Sequence, residues 1–328
     1  MQGALRNGLS PEIYGPEPIQ MEGRSGLRYW IRHPFVFTGN HEVDERLSGY
    51  PVAVFQPTGR QPENTPVLVG LQGMAQPYTF NSFLVPALLD MGITCVLFDT
   101  PLAGERSLVR TGTGDIVAEI VPLIARRVHI RSLLLQRIME AVARDLQTVL
   151  GLVADRHGLR DSRRALFGVS LGALLTSFAF LRDGTGERLL GSIGHADLPR
   201  FARSYTPSTA RWLATLPARV LAELGGWFYS QGLAAGLQFV AVLNELSHGT
   251  AAFACANPMS YAVKAGARRI RYLLGDIDPV VRVADAKWCV ERFPDGAIYV
   301  VPGLAHGGEN FVGHARFYVQ SQLGDWAW

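Results

Sequence analysis

Lysine is almost missing from this chain. Of 31 basic residues only Lys264 and Lys287 are lysines; the rest are arginines. Against 28 acidic residues the formal net charge is +3, far from the concentrated basic face that a nucleic-acid partner requires. Cysteine is scarce too. Cys95, Cys255 and Cys289 are odd in number and widely spaced, which excludes a disulfide framework and a paired-cysteine metal site. Neither HExxH nor a pair of CxxC motifs occurs, and no glycine-rich phosphate loop leads into a helix with lysine. No metal, no nucleotide and no other cofactor is therefore expected. Internal repeats and low-complexity blocks are lacking. The opening MQGALRNGLS has no basic segment followed by an apolar run, so no signal peptide is read there and a cytoplasmic location is the expectation. Charge is absent over the 20 residues from Gly225 to Asn244. Ser230, Gln231, Gln238 and Asn244 within it are costly in hydrocarbon, so a buried or capping helix is expected there rather than a membrane span.

What is present describes a globular chain with a large core: 48% hydrophobic and 18% charged residues. Two weak strand signals, Leu27–Phe37 and Tyr50–Phe55, lie in a first stretch rich in glycine and proline. From Pro66 the pattern becomes regular. Short, mostly apolar segments at Val67–Leu71, Ile93–Phe98, Ala165–Gly168, Leu189–Ile193, Ile270–Leu274 and Ala297–Val301 read as strands. Helical stretches alternate with them at Phe80–Met91, Leu171–Leu181 and Val283–Phe293. Ile138, Val142, Leu146, Val149 and Val153 recur every three or four residues, giving one more helix an apolar stripe. Continuous apolar strands alternating with helices indicate parallel βαβ units with both sheet faces covered. Chemistry is then expected at the carboxyl ends of the strands.

Gly168-Val169-Ser170-Leu171-Gly172 is the sharpest signal. It fits the G-x-S-x-G elbow, with a strand before it and a helix after it. A serine on so tight a turn needs neighbours without side chains two positions away, and the helix N-terminus below it favours developing negative charge. Pro302-Gly303-Leu304-Ala305-His306-Gly307-Gly308 follows the last strand. It offers His306 as general base, because imidazole titrates near neutral pH. His195, after another strand, is a competitor; His314 falls on the final helix.

In these motifs and in the order of its elements, the chain from Pro66 onward resembles the α/β-hydrolase superfamily. Asn257-Pro258-Met259-Ser260-Tyr261-Ala262 is similar to the return from a cap in bacterial esterases. The resemblance implies an α/β fold, a mostly parallel sheet flanked by helices, in one domain over 1–328 with a helical cap inserted at 199–256. It also implies roles. Ser170 would be the nucleophile, His306 its base, and Asp278, three residues after Gly275, the acid that orients the histidine. Asp276 and Asp197 stay open as alternatives for the acid. The oxyanion hole would take one backbone N–H from Leu171 and a second from Met74. Gln72 and Gly73, beside Met74, would border the substrate, although many relatives have His-Gly where this chain has Gln72-Gly73. The expected reaction is hydrolysis of a small apolar carboxylic ester through an acyl-enzyme. An amidase or peptidase, a cofactor-free C–C hydrolase or lyase, and a non-catalytic binding protein of the same fold are the rival readings. Oligomeric state is not legible in the sequence.

Overall fold

The computed structural model describes residues 10–59, 61–109, 116–126, 128, 132–204, 225–248, 251–266, 268–308 and 310–327. Its strands are β1 (Glu12–Met21), β2 (Arg24–Arg32), β3 (Gly49–Phe55), β4 (Val67–Leu71), β5 (Thr94–Phe98), β6 (Arg164–Val169), β7 (Arg188–Ser192), β8 (Arg269–Gly275) and β9 (Gly296–Val301). The helices are α1 (His41–Ser48), α2 (Leu84–Asp90), α3 (Ile116–Ala125), α4 (Ser132–His157), α5 (Leu171–Asp183), α6 (helical residues 198–204), α7 (Gly225–Ser247), α8 (Val283–Val290) and α9 (Phe311–Leu323).

All strands join one sheet in the order β1-β2-β3-β5-β4-β6-β7-β8-β9. From β5 to β9 every neighbouring pair is parallel; β1, β2 and β3 are added antiparallel at one edge. The parallel core follows from composition, since β4 and β5 are buried at every position and read as continuous apolar runs. Their alternate residues face opposite layers. Val67, Val69 and Leu71 pack in the larger core, with the α4 and α5 side chains, while Leu68 packs in the smaller one, with those of α2 and α9. The α4 stripe Ile138, Val142, Leu146, Val149 and Val153 is buried throughout. Each such side chain contributes about 1.5–3 kcal/mol relative to leaving it in water.

The first 64 residues depart from the sequence reading. Three strands occur there instead of two, and the one expected over Leu27–Phe37 ends at Arg32. β1 gave no signal because most of its residues are exposed and it pairs on one side only; Pro16 and Pro18 also read as breakers, which an edge strand tolerates. The stretch Phe80–Met91 is helical in two pieces, a 3₁₀ segment over Tyr78–Phe83 and then α2.

Between β7 and β8 the strand–helix rhythm is interrupted by α6, α7 and a 3₁₀ turn at Ala251–Ala256. Trp212, Leu213, Leu216, Val220 and Leu221 lie outside the described residues, as do the side chains of Trp227 and Phe228. The charge-free stretch falls in α7, whose Val242, Leu243 and Leu246 are buried in the larger core. No described helix is long and apolar enough to cross a membrane.

Candidate active site

Ser170 sits between the end of β6 and the start of α5, with φ 53° and ψ −116°. A non-glycine residue in that region stores about 1–3 kcal/mol of strain and persists only when its surroundings fix it. Here they do. The Ser170 N–H donates to Ser192 O at 2.8 Å, and its carbonyl accepts from Ala173 N at 3.0 Å. A Cβ on Gly168 would overlap the Gly172 carbonyl, and one on Gly172 would overlap the carbonyl oxygens of Leu71 and Gln72. The spacing of the two glycines is thus a packing requirement: the turn is pressed against the end of β4 and leaves no room for a side chain.

The serine hydroxyl lies 2.9 Å from His306 Nε2. On the other side of the ring, His306 Nδ1 lies 2.8 Å from Asp278 Oδ2. An ionised carboxylate only accepts, so the ring proton belongs on Nδ1 and the free Nε2 lone pair faces the serine. Asp278 is buried, and its other oxygen accepts from Val280 N at 2.7 Å and Val281 N at 2.9 Å. These bonds fix the carboxylate in the turn between β8 and α8.

The loops that carry His306 and Asp278 are tied together. A Cβ on Gly275 would overlap the Leu304 carbonyl, so only glycine lets the His306 loop lie across the end of β8. Asp276 Oδ1 accepts from Gly303 N at 2.7 Å. Asp276 therefore braces the histidine loop rather than facing the ring. Asp197 is occupied as well: its Oδ1 accepts from Arg200 N at 2.8 Å and its carbonyl from Phe201 N at 2.9 Å, which makes it the N-cap of α6. His195 is fully buried, with Nδ1 accepting from Asp197 N at 3.2 Å. Burial holds its pKa down at about 4. His314 lies on α9, within Phe311–Leu323.

Gly73 packs against the elbow: a Cβ built on it would stand 3.7 Å from Ser170 Cβ and from Val169 O. Met74 and Leu171 both line a cavity with about 880 Å³ of open space, its mouth included. Gln72 and Gly73 do not line it; the Gln72 side chain is buried, with Nε2 donating to Thr100 Oγ1 at 3.4 Å. Three walls enclose the space. Leu198, Phe201, Ala202, Phe239, Val242, Leu243 and Leu246 come from α6 and α7, Ile120 and Leu123 from α3, and Leu134, Leu135 and Ile138 from the start of α4. Thr100 is the one polar side chain among the lining residues described. The walls from α3 and α4 were missed in the sequence reading. Their signal was the apolar run Ile116–Ala125, which is too short to tell a cavity wall from ordinary core.

No protein-family model matches the sequence, and no curated protein matches it either. Solved structures do match. Acetyl xylan esterase from Paenibacillus sp. R4 aligns with a TM-score of 0.56 at 15% identity, over 97% of this chain and 90% of that one. An esterase from Pyrococcus furiosus aligns with a TM-score of 0.50 at 15% identity, over 96% and 93% of the two chains. A monoacylglycerol lipase from Paleococcus ferrophilus aligns with a TM-score of 0.50 at 15% identity, over 83% and 98%. The chain has the α/β-hydrolase fold: an open, mostly parallel sheet flanked by helices.

Proposed function

We propose that the chain is a serine hydrolase of the carboxylesterase type, acting on a small apolar carboxylic ester. The observation that carries this reading is the hydrogen-bonded chain Ser170–His306–Asp278 beside a cavity with almost no polar lining. Ser170 Oγ attacks the ester carbonyl carbon while His306 Nε2 takes the hydroxyl proton. The carbonyl oxygen becomes negative within reach of the Leu171 and Met74 N–H groups, each worth roughly 3 kcal/mol of barrier. The leaving alcohol takes the proton back from His306, and an acyl-enzyme on Ser170 is left. Water then repeats the sequence: it gives a proton to His306, attacks the acyl carbon and releases the acid as Ser170 recovers its proton. Asp278 stays ionised, holds the ring and stabilises the imidazolium. Residues 199–256 act as a helical cap on a single domain, excluding water and gripping the apolar part of the ester.

A fluorophosphonate probe combined with nitrophenyl esters of increasing acyl length, with amide analogues beside them, tests this. Labelling at Ser170 and a kcat/KM that rises from acetate toward octanoate are expected. Absence of labelling, or amide turnover above ester turnover, would remove the reading.

A further inference from the structure

α6 has two working faces. Leu198, Phe201 and Ala202 line the cavity, whereas Arg200 and Ser204 turn to α8. There they meet one buried carboxylate. Asp285 accepts from Arg200 Nη1 at 3.1 Å and from Ser204 Oγ at 3.1 Å, and it also accepts from Arg282 Nε at 2.8 Å. Arg200 also stacks on the Trp288 ring of α8, 4.0 Å from its centroid, and Arg292 stacks on the same ring at 3.3 Å. Arg282 and Asp285 lie just beyond the turn that holds Asp278 in place.

We propose that Asp285 is a positioning residue for substrate selection: it locks the cavity-lining helix α6 to the segment that carries Asp278, and so sets how firmly the cavity grips a long apolar acyl chain. The inference rests on the ester reading above. A buried carboxylate is stable only when paired and hydrogen-bonded, and here two of its three donors are side chains of α6. Burial pushes the Asp285 pKa up, but the hydrogen bonds from Arg200 and Arg282 outweigh this and hold it below the usual carboxylate range. The lock is thus charged under ordinary conditions. Without it, α6 keeps its N-cap at Asp197 but loses its anchor at Arg200 and Ser204. Phe201 and Ala202 then shift relative to Met74 and Leu171. A short acyl group, which needs only the serine and the oxyanion donors, is indifferent to that shift. A long one depends on the wall.

The experiment compares Asp285→Asn and the milder Ser204→Ala with the unaltered protein. Two readouts are used: kcat/KM from nitrophenyl acetate to decanoate, and fluorescence titration with N-phenyl-1-naphthylamine, an uncharged apolar probe whose binding needs no turnover. Octanoate and decanoate should lose about tenfold in kcat/KM, mainly through KM, a size typical of altered apolar pocket contacts. Acetate should stay within about twofold, and probe affinity should fall with the long esters. Ser204→Ala should shift both readouts the same way by less, and it serves alone if Asp285→Asn does not fold. A uniform loss at every chain length, or unchanged selectivity and probe binding, would overturn the proposal. If the unaltered protein binds the probe but cleaves no ester, the ester reading fails, and the lock is judged on probe affinity.

Discussion

Asp278→Asn is the substitution whose outcome the geometry specifies most fully. The carboxylate has two different neighbours: Oδ1 accepts from two backbone N–H groups, Val280 and Val281, and Oδ2 faces His306 Nδ1. An amide in the same place must put its oxygen toward the two N–H donors, because an NH₂ there would oppose both. Its NH₂ then points at His306 Nδ1 and donates, which forces the ring proton onto Nε2. In that tautomer the nitrogen facing Ser170 is a donor and cannot take the hydroxyl proton. The expected loss is on the order of 10⁴ in kcat, equivalent to about 5.5 kcal/mol of barrier. Volume and hydrogen-bond count are preserved, so the melting temperature should change little. Steady-state kinetics on a nitrophenyl ester, with thermal melts on the same preparations, measure both. Asp276→Asn is the control, since Asp276 contacts the Gly303 N–H and not the ring. If Asp278→Asn keeps more than about a tenth of the activity, or Asp276→Asn loses more than it, the orientation argument is wrong.

Ser170→Ala should abolish ester turnover and fluorophosphonate labelling while leaving circular dichroism unchanged; residual turnover inhibited by the probe would point to another nucleophile. Gly275→Ala should destabilise the protein by about 3 kcal/mol, since its Cβ would overlap the Leu304 carbonyl; an unchanged denaturant midpoint would contradict the close approach. Leu123→Trp, on the cavity wall from α3, should move the best acyl length to a shorter ester, read from the same substrate series. His195 gives a pH prediction. Its pKa falls from 6.5 unfolded to about 4 in the fold, so its share of stability is intact above pH 6.5, drains as pH falls from there and is gone below about 4. The total is roughly 3 kcal/mol. Asp99 runs the opposite way, because burial raises its pKa from 3.8 to about 7 and folding gains from its protonation as pH falls. The difference in unfolding free energy between the unaltered protein and His195→Gln, measured from pH 4 to 8, isolates the histidine. A flat difference would mean that the ring reaches water or a partner.

The parallel core was legible because its strands are short and mostly apolar, so that β4 to β9 each fell within a residue or two of their expected spans. The tight turn at Ser170 was legible for a related reason. Two glycines around Ser170 are a local mark of a crowded turn, and the crowding against Leu71 and Gln72 is found where the mark pointed. Asp276 and Asp278 could not be separated by spacing alone. What separates them is that one meets the Gly303 N–H and the other the His306 ring, a difference decided by loops arriving from distant sequence. The same limit hid the cavity walls: Ile138 read as one member of an apolar helical stripe, and nothing in a helical period says that the opposing layer stands back from it. Gln72 was placed beside the substrate by its neighbours, yet it turns into the interior toward Thr100.

Ser170 and His306 meet although 136 residues separate them along the chain. Closing so long a loop is entropically costly and slow compared with forming a helix. The pairing also requires β7, β8 and β9 to have added in order beyond β6. Recovery of the proposed esterase activity after dilution from denaturant would therefore report completion of the sheet, and it should lag behind the return of helical circular dichroism. The proposed nucleophile, in effect, cannot be switched on in a half-folded chain.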